Sequence, residues 1–424
     1  MNRAECERMH DEMLKHLNDE LLPFWLDRSR DDVHGGYITH FDENGVDTGE
    51  DEKSLIAQTR TVLSMSLAHR AGHGEGRCAA HAEHGVKFLL ERMWDHEHGG
   101  FFWTVDRSGE VIIPQKILYG HSFAIYALAE YTRATGDPVG LEYAERVFDL
   151  VQINCTETAY GGYLEMFERD WTLSGPGAGG GDRKTLDVHM HLMEAYTSLY
   201  AVSQKELHAR KLREVIRIIV ERVLSPGGTG IPQFTVDWKQ APHIKFDIVW
   251  GWDRYDESGQ KANPLDNTSY GHNAEMAWLL IDALNTLGDD IAPYDHIIRS
   301  ALDHAVRYGI DETYGGVYVE GSHKGPATDQ AKEFWQQAET LIGMLDGFLR
   351  YQDDRYLQAY TNVHRFVMDT MIHHETGEWW PLLSREGEPL WRHMSHSWKV
   401  NYHTVRAAVN TVDQLRQVLD RNLV

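Results

Sequence analysis

The sequence predicts an all-α fold, an (α/α)6 barrel of six helix pairs with short β-hairpins at one end. Three observations carry this. A glycine pair leading into an aromatic or apolar run recurs along the chain. The recurrences stand at nearly constant spacing. Between them, strongly apolar helical stretches alternate with charged amphipathic ones.

The glycine repeat begins at Gly35-Gly36-Tyr37-Ile38 and returns at Gly99-Gly100-Phe101-Phe102, Gly161-Gly162-Tyr163-Leu164, Gly227-Gly228 and Gly315-Gly316-Val317-Tyr318. A degenerate sixth copy is Gly377-Glu378-Trp379-Trp380. From one copy to the next the spacing is 64, 62, 66, 88 and 62 residues. Near-constant periods of this kind mark repeat architectures. Several copies run on into polar turns, among them Asp42-Glu43-Asn44-Gly45, Asp106-Arg107-Ser108-Gly109 and Ser384-Arg385-Glu386-Gly387. A short alternating strand followed by a Gly-containing turn reads as a small hairpin.

An apolar helix follows each hairpin, near 55–72, 117–135, 187–203, 272–288, 333–352 and 403–418. A more charged helix precedes each, near 4–24, 77–93, 140–154, 206–223, 293–308 and 355–372. Gly136-Asp137-Pro138 and Gly288-Asp289 mark two of the breaks. Helices apolar all round belong inside, and amphipathic ones outside. Six pairs therefore suggest two concentric rings. An open solenoid is the rival arrangement, but it needs polar caps at both ends. The long spacing holds extra residues around 240–270, including Trp250-Gly251-Trp252-Asp253, read as a functional loop. No linker divides the chain, so residues 1–424 form a single catalytic domain on this reading.

Composition narrows the function. The net charge of −24 argues against nucleic-acid or anionic-membrane partners, both of which need basic surface. Cys6, Cys78 and Cys155 are too few and scattered for a disulfide framework, and read as reduced thiols in a cytoplasmic protein. No signal peptide or membrane-length apolar run stands out.

The chemistry lies where the inner helices begin. Each follows a hairpin, so all six start at the same end of the barrel and their first turns form one ring. That ring holds Arg60, Tyr119 with His121, His191 with Glu194, His272 with Glu275, Trp335 with Glu339, and His403 with Arg406. Residues at i and i+3 share a helix face, so His272 and Glu275 project together. Histidines titrate near neutrality, and two across a cavity serve as base and acid on opposite faces of a substrate. Glu275 is expected to orient His272, and Arg60 and Arg406 to stabilise a developing enolate oxygen. Trp335, Trp398, Trp252 and Phe101 suit stacking on a sugar ring. A metal site is the chemical rival, built from His189-x-His191 or from His191-x-x-Glu194 with His272-x-x-Glu275. None of these is a specific metal signature, so no metal and no cofactor is expected. A glycosidase using Glu275 and Glu339, or a non-catalytic helical scaffold, are readings of other classes. His373-His374 and His393 with His396 read as surface or loop histidines.

These residues resemble the N-acylglucosamine 2-epimerase superfamily, particularly its cellobiose 2-epimerase and mannose 2-epimerase branch. The most specific stretches are His189-Met190-His191-Leu192-Met193-Glu194-Ala195-Tyr196, Gly271-His272-Asn273-Ala274-Glu275, Phe334-Trp335-Gln336-Gln337-Ala338-Glu339, and Trp398-Lys399-Val400-Asn401-Tyr402-His403 with Arg406. Leu118-Tyr119-Gly120-His121 and Gln58-Thr59-Arg60 match more loosely. The resemblance implies an (α/α)6 barrel, no metal or nucleotide cofactor, and proton transfer at carbon 2 of an opened aldose through an enediol. It implies that His272 and His403 are the catalytic acid and base. It implies substrate contacts from Arg60, Tyr119, His191, Glu275, Trp335, Glu339, Trp398 and Arg406. The substrate is then a small glucose- or mannose-type sugar, free or at the reducing end of a cellobiose-like disaccharide, handled by a monomer or homodimer. A mannose–fructose isomerase on the same site is the neighbouring alternative. Departures from the family pattern are Phe334, Trp335 and Gln336 in place of Trp-Trp-Pro, and Asp187 where disaccharide epimerases often show Asn.

Overall fold

A computed structural model describes residues 2–248 and 265–424. The chain winds as alternating outer and inner helices. Outer helix α1 spans Arg3–Lys15 and runs on through a π turn at His16–Leu21 into Leu22–Arg28. Inner helix α2 is Leu55–Arg70, followed by outer α3, Arg77–Phe88, and inner α4, Leu118–Thr135. Next come α5, Pro138–Asn154, α6, Leu186–Ser203, and α7, Glu206–Ile218. The last five are α8, Tyr270–Leu287, α9, Asp295–His304, α10, Phe334–Tyr351, α11, Asp354–Phe366, and α12, Tyr402–Asp420. Every even-numbered helix is inner.

Burial follows the composition that predicted it. Helix α2 is buried at every position from Leu55 to Ala68, whereas α7 buries one face through His208, Ala209, Leu212, Val215 and Ile216. Each inner helix packs against the next, and α12 returns to pack on α2. The ring is closed, so the solenoid alternative falls. Helix α1 covers α12 from outside. Among the described residues, no helix is long and apolar enough to cross a membrane.

The hairpins are present but shorter than the sequence suggested. Their main ladders run between neighbouring repeats. Glu52–Ser54, leading into α2, pairs antiparallel with Thr104–Asp106 of the next repeat. Lys116–Ile117 pairs with Met166–Phe167, and Arg183–Thr185 with Gln233–Thr235. Phe41–Asp42 pairs with His393–Ser395, which joins the first repeat to the last. A polar residue at the fourth position of an inner helix pins each of the first five glycine turns. The Gln58 carboxamide accepts from Tyr37 N–H at 2.8 Å and donates to its carbonyl at 2.9 Å. Gln337 does the same for Val317, both at 2.7 Å. Asn273 accepts from Gly230 N–H at 2.9 Å. The second glycine of each pair makes room for this. At Gly36, φ is +66° and a Cβ would fall 2.6 Å from Gln58 Oε1; at Gly316, φ is +79° and the distance to Gln337 Oε1 would be 2.8 Å.

Beneath the hairpins lies a second repeat that sequence inspection missed. Lys53, Lys116, Lys184, Lys332 and Lys399 are fully buried, each pointing its ammonium at a carboxylate and all but Lys116 also at a backbone carbonyl. Their partners are Asp31, Asp95, Glu157, Asp311 and Glu378, at 2.9, 3.0, 3.0, 3.2 and 3.2 Å. Removing one partner of a buried pair strands the other charge, which costs about 3–5 kcal/mol. Lys399→Met is therefore expected to lower unfolding free energy by about that amount, by leaving Glu378 buried without its cation. Urea titration checks this, and a loss below about 1 kcal/mol would contradict it.

Candidate active site

The first turns of the inner helices do converge, and Arg406 of α12 stands at the centre. It is 1 % exposed and surrounded by three buried carboxylates from three other helices. Its guanidinium donates to Glu275 Oε1 of α8 at 2.9 Å, to Glu339 Oε1 of α10 at 2.6 Å, and to Glu194 of α6. Tyr402, one turn earlier on α12, donates to both Glu194 oxygens at 2.8 and 2.9 Å. One cation cannot balance three carboxylates in a dry site, and their titration separates. Burial and the neighbouring Glu339 push Glu275 well above the ordinary carboxylate range, against the pull of Arg406. Burial also acts on Glu339, but Arg406 and His403 outweigh it and hold this carboxyl low. Glu275 thus carries the proton and Glu339 the charge.

Two histidines rest on this network. His403 Nδ1 lies 2.6 Å from Glu339 Oε1. A carboxylate at that distance fixes the proton on Nδ1 and leaves Nε2 with its lone pair. Burial pushes the His403 imidazole down to about 3, although Glu339 opposes it, so the ring is neutral. His191 Nδ1 lies 3.0 Å from Glu194 Oε2, and its Nε2 faces the Tyr119 hydroxyl at 3.4 Å. Arg60 donates to that hydroxyl at 2.8 Å and to the Trp398 carbonyl at 2.9 Å. Its guanidinium is stacked among Phe123, Tyr402 and Trp398, with 4.5, 5.1 and 5.2 Å to the ring centroids. Tyr119 and Trp398 stack on each other at 5.3 Å.

His272 stands apart from the carboxylate core. Its backbone N–H is capped by Ser269 Oγ at 3.2 Å, so the helix begins just where the ring emerges. Trp335 neighbours both histidines, with its centroid 4.5 Å from His272 and 5.8 Å from His403. His272 is a quarter exposed and Trp335 and Trp398 are half-buried, so these three face the open end.

Several expectations change. Glu275 does not orient His272; it is 1 % exposed and bound to Arg406, because a buried carboxyl needs that donor more than an open imidazole does. Arg406, expected to meet a developing enolate, has its guanidinium committed to carboxylates behind His403. Glu275 and Glu339 share Arg406 and are not free to serve as a glycosidase pair. His121 and His189 are hairpin pins. Their Nδ1 atoms bond to the Ile117 and Thr185 carbonyls at 2.8 and 2.7 Å, and their Nε2 atoms accept from Phe101 and Tyr163 N–H at 3.0 and 3.2 Å. Both nitrogens are used, which removes the His189-x-His191 metal pair. Ligand atoms of Glu275, Glu339 and His403 do lie within 4.8 Å of one another, but the Arg406 guanidinium already sits against both carboxylates. Phe101 is fully buried against Trp94 and makes no open platform. His396 is buried, not a surface residue, and its Nδ1 accepts from Trp398 N–H at 3.1 Å. Trp252 lies outside the described residues. Sequence reading assigned no role to Tyr402 or to Trp278, which donates to Glu339 Oε2 at 3.0 Å.

Comparison with known proteins agrees with this architecture. The sequence profile of the N-acylglucosamine 2-epimerase (GlcNAc 2-epimerase) family matches residues 36–407. A cellobiose 2-epimerase of Bacteroides fragilis is 29 % identical, over 96 % of this chain and 100 % of its own. A D-mannose isomerase of Marinomonas mediterranea is 25 % identical, over 91 % and 92 %. The solved structure of cellobiose 2-epimerase from Spirochaeta thermophila superimposes with a TM-score of 0.86 at 28 % identity, over 98 % and 99 %. The chain belongs to the N-acylglucosamine 2-epimerase family, and it is a carbohydrate epimerase of the isomerase class.

Proposed function

We propose that this enzyme interconverts glucose- and mannose-type aldoses by carrying the carbon 2 proton between His403 and His272. The observation that supports this most is the pair of imidazoles on different helices that both pack against the Trp335 ring, at 4.5 and 5.8 Å. In this reading the opened aldose lies against Trp335 and Trp398. His403 Nε2, neutral and backed by Glu339, removes the carbon 2 proton. The electron pair moves onto the carbonyl oxygen, giving an enediolate. Arg60, Tyr119 and His191 form the polar wall that stabilises this oxygen. His272 returns a proton to the opposite face of carbon 2, which inverts the centre. Sugar hydroxyls and an aldehyde supply all the atoms, so the reading needs no metal or cofactor.

A second outcome of the same enediolate is reprotonation at carbon 1, which turns mannose into fructose. The D-mannose isomerase relative supports keeping it in view. Proton NMR in heavy water decides, using chelator-treated enzyme with mannose, glucose, fructose, cellobiose or N-acetylglucosamine in turn. The expected result is loss of the carbon 2 proton signal with growth of the epimer. Growth of fructose from mannose would make the enzyme a ketose isomerase. No exchange with any of these sugars would remove the proposal.

A further inference from the structure

His403 has Glu339 behind it, and the partner of His272 is not the Glu275 of its own helix. The carboxylate facing His272 belongs to Asp187, in the first turn of the neighbouring inner helix α6. Asp187 Oδ1 lies 3.4 Å from His272 Nε2. An acidic residue in a first turn has an ordinary role, since it favours the helix N-terminus by about 0.3–1 kcal/mol. That role does not require an imidazole on the next helix. The two histidine–carboxylate pairs also differ in kind. Side chains of His403 and Glu339 are 7 and 0 % exposed and 2.6 Å apart, a short bond that holds one tautomer. Those of His272 and Asp187 are 25 and 41 % exposed and further apart, an open ion pair from which a proton is free to leave.

Among the described residues, the charged groups on the elements nearest His272 have partners of their own. On its own helix, Glu275 is buried and protonated. From α10 comes the uncharged Trp335, with Glu339 a turn deeper on Arg406 and His403. From α12 come His403 and Arg406, and from α2 Arg60, which is bonded to Tyr119 and Trp398. On the segment before α6, Glu165 is fully buried; burial pushes it up to about 8, against a hydrogen bond from Thr185 and with help from Asp187. It is neutral at pH 7 and adds no charge.

We infer that Asp187 is a positioning residue that keeps the imidazole of His272 protonated, so that in the direction in which His403 takes the carbon 2 proton His272 begins as the acid. The inference rests on the proposed proton transfer. The balance is simple: His403 gains the proton from carbon 2, His272 loses one to carbon 2, and exchange with water resets the pair. In the reverse direction the roles exchange: neutral His272 takes the proton and His403 returns one, so the pair carries one proton in either direction.

Asp187→Asn tests this, with Asp187→Glu as the conservative variant. Asp187 is only partly buried and the Asn is isosteric, so the fold is retained. The first readout is the ring-proton NMR resonance of His272 in sugar-free enzyme, assigned by its absence in His272→Gln. In Asp187→Asn it should titrate at lower pH than in wild type, and Asp187→Glu should bring it back. The second readout is the rate of carbon 2 exchange. Its alkaline limb should move toward lower pH, giving about three- to tenfold loss one unit above the wild-type limb and little loss below it. A His272 resonance that titrates unchanged in Asp187→Asn overturns the inference, and so does a loss of rate equal at every pH. Because the titration is read without sugar, its failure is separate from failure of the wild type to exchange carbon 2 protons.

Discussion

His403→Ala is expected to lower carbon 2 proton exchange by about 10²–10⁴-fold, the range for loss of a positioned general base. The reasoning starts from the bond to Glu339 at 2.6 Å, which keeps the proton on Nδ1 and presents Nε2 as the basic atom. Burial pushes the ring down to about 3, although Glu339 opposes it, so the base form prevails at neutral pH. Alanine removes the atom that receives the proton without disturbing the charges beneath it. Glu339 keeps Arg406 at 2.6 Å and the Trp278 indole at 3.0 Å, so the variant should fold with a wild-type circular dichroism spectrum. His272→Ala should show a loss of the same order, and the double variant little more, because residues acting on one proton do not contribute additively. Heavy-water exchange measured on folded His403→Ala decides. Turnover within threefold of wild type would end the role assigned to His403.

Much of this was legible in the sequence because the relevant signals are periodic. The glycine pairs recur, and apolar and amphipathic helices alternate between them. Polar residues in the first turn of each inner helix located one layer of the barrel, and that layer brought together His272, Trp335, Glu339, His403 and Arg406. The assignment of partners was not legible. Glu275 lies three residues from His272 and shares its face, yet the structure gives Glu275 to Arg406 and places Asp187, 85 positions earlier in the chain, beside His272. Helical spacing says which residues share a face, but not which neighbouring helix that face meets. His121 and His189 show the opposite error. They fall in the polar layer by position, but their rings turn outward to the hairpins, a direction that chain spacing does not encode. The buried lysines were passed over because a lysine reads as surface until its carboxylate is seen.

Arg406→Met should have the largest effect on stability. It leaves Glu194, Glu275 and Glu339 buried without their shared cation, and breaking a buried charge network of this kind costs about 3–5 kcal/mol. The loss should depend on pH, and its sign follows from Glu339. In the wild type this carboxyl is held low, chiefly because Arg406 and His403 outweigh burial. A group whose folded-state value lies below its unfolded one adds stability above the unfolded value and loses it as pH falls. Arg406→Met removes that contribution, so the deficit should be full at pH 7 and shrink toward pH 4.5, where protonation relieves the stranded carboxylates. Glu275 adds little to the trend, because it is protonated in the wild type and stays protonated without Arg406. Arg406→Lys restores one charge but not the fork that reaches three carboxylates from one side chain, so it should recover only part of the loss. Urea unfolding of wild type and both variants at pH 7 and pH 4.5 gives the answer. A deficit below about 1 kcal/mol at pH 7 would mean that the three carboxyls are accommodated without Arg406. A deficit as large at pH 4.5 as at pH 7 would mean that packing of the guanidinium against Tyr402 and Trp278, 4.1 and 4.8 Å from its carbon, outweighs its charge.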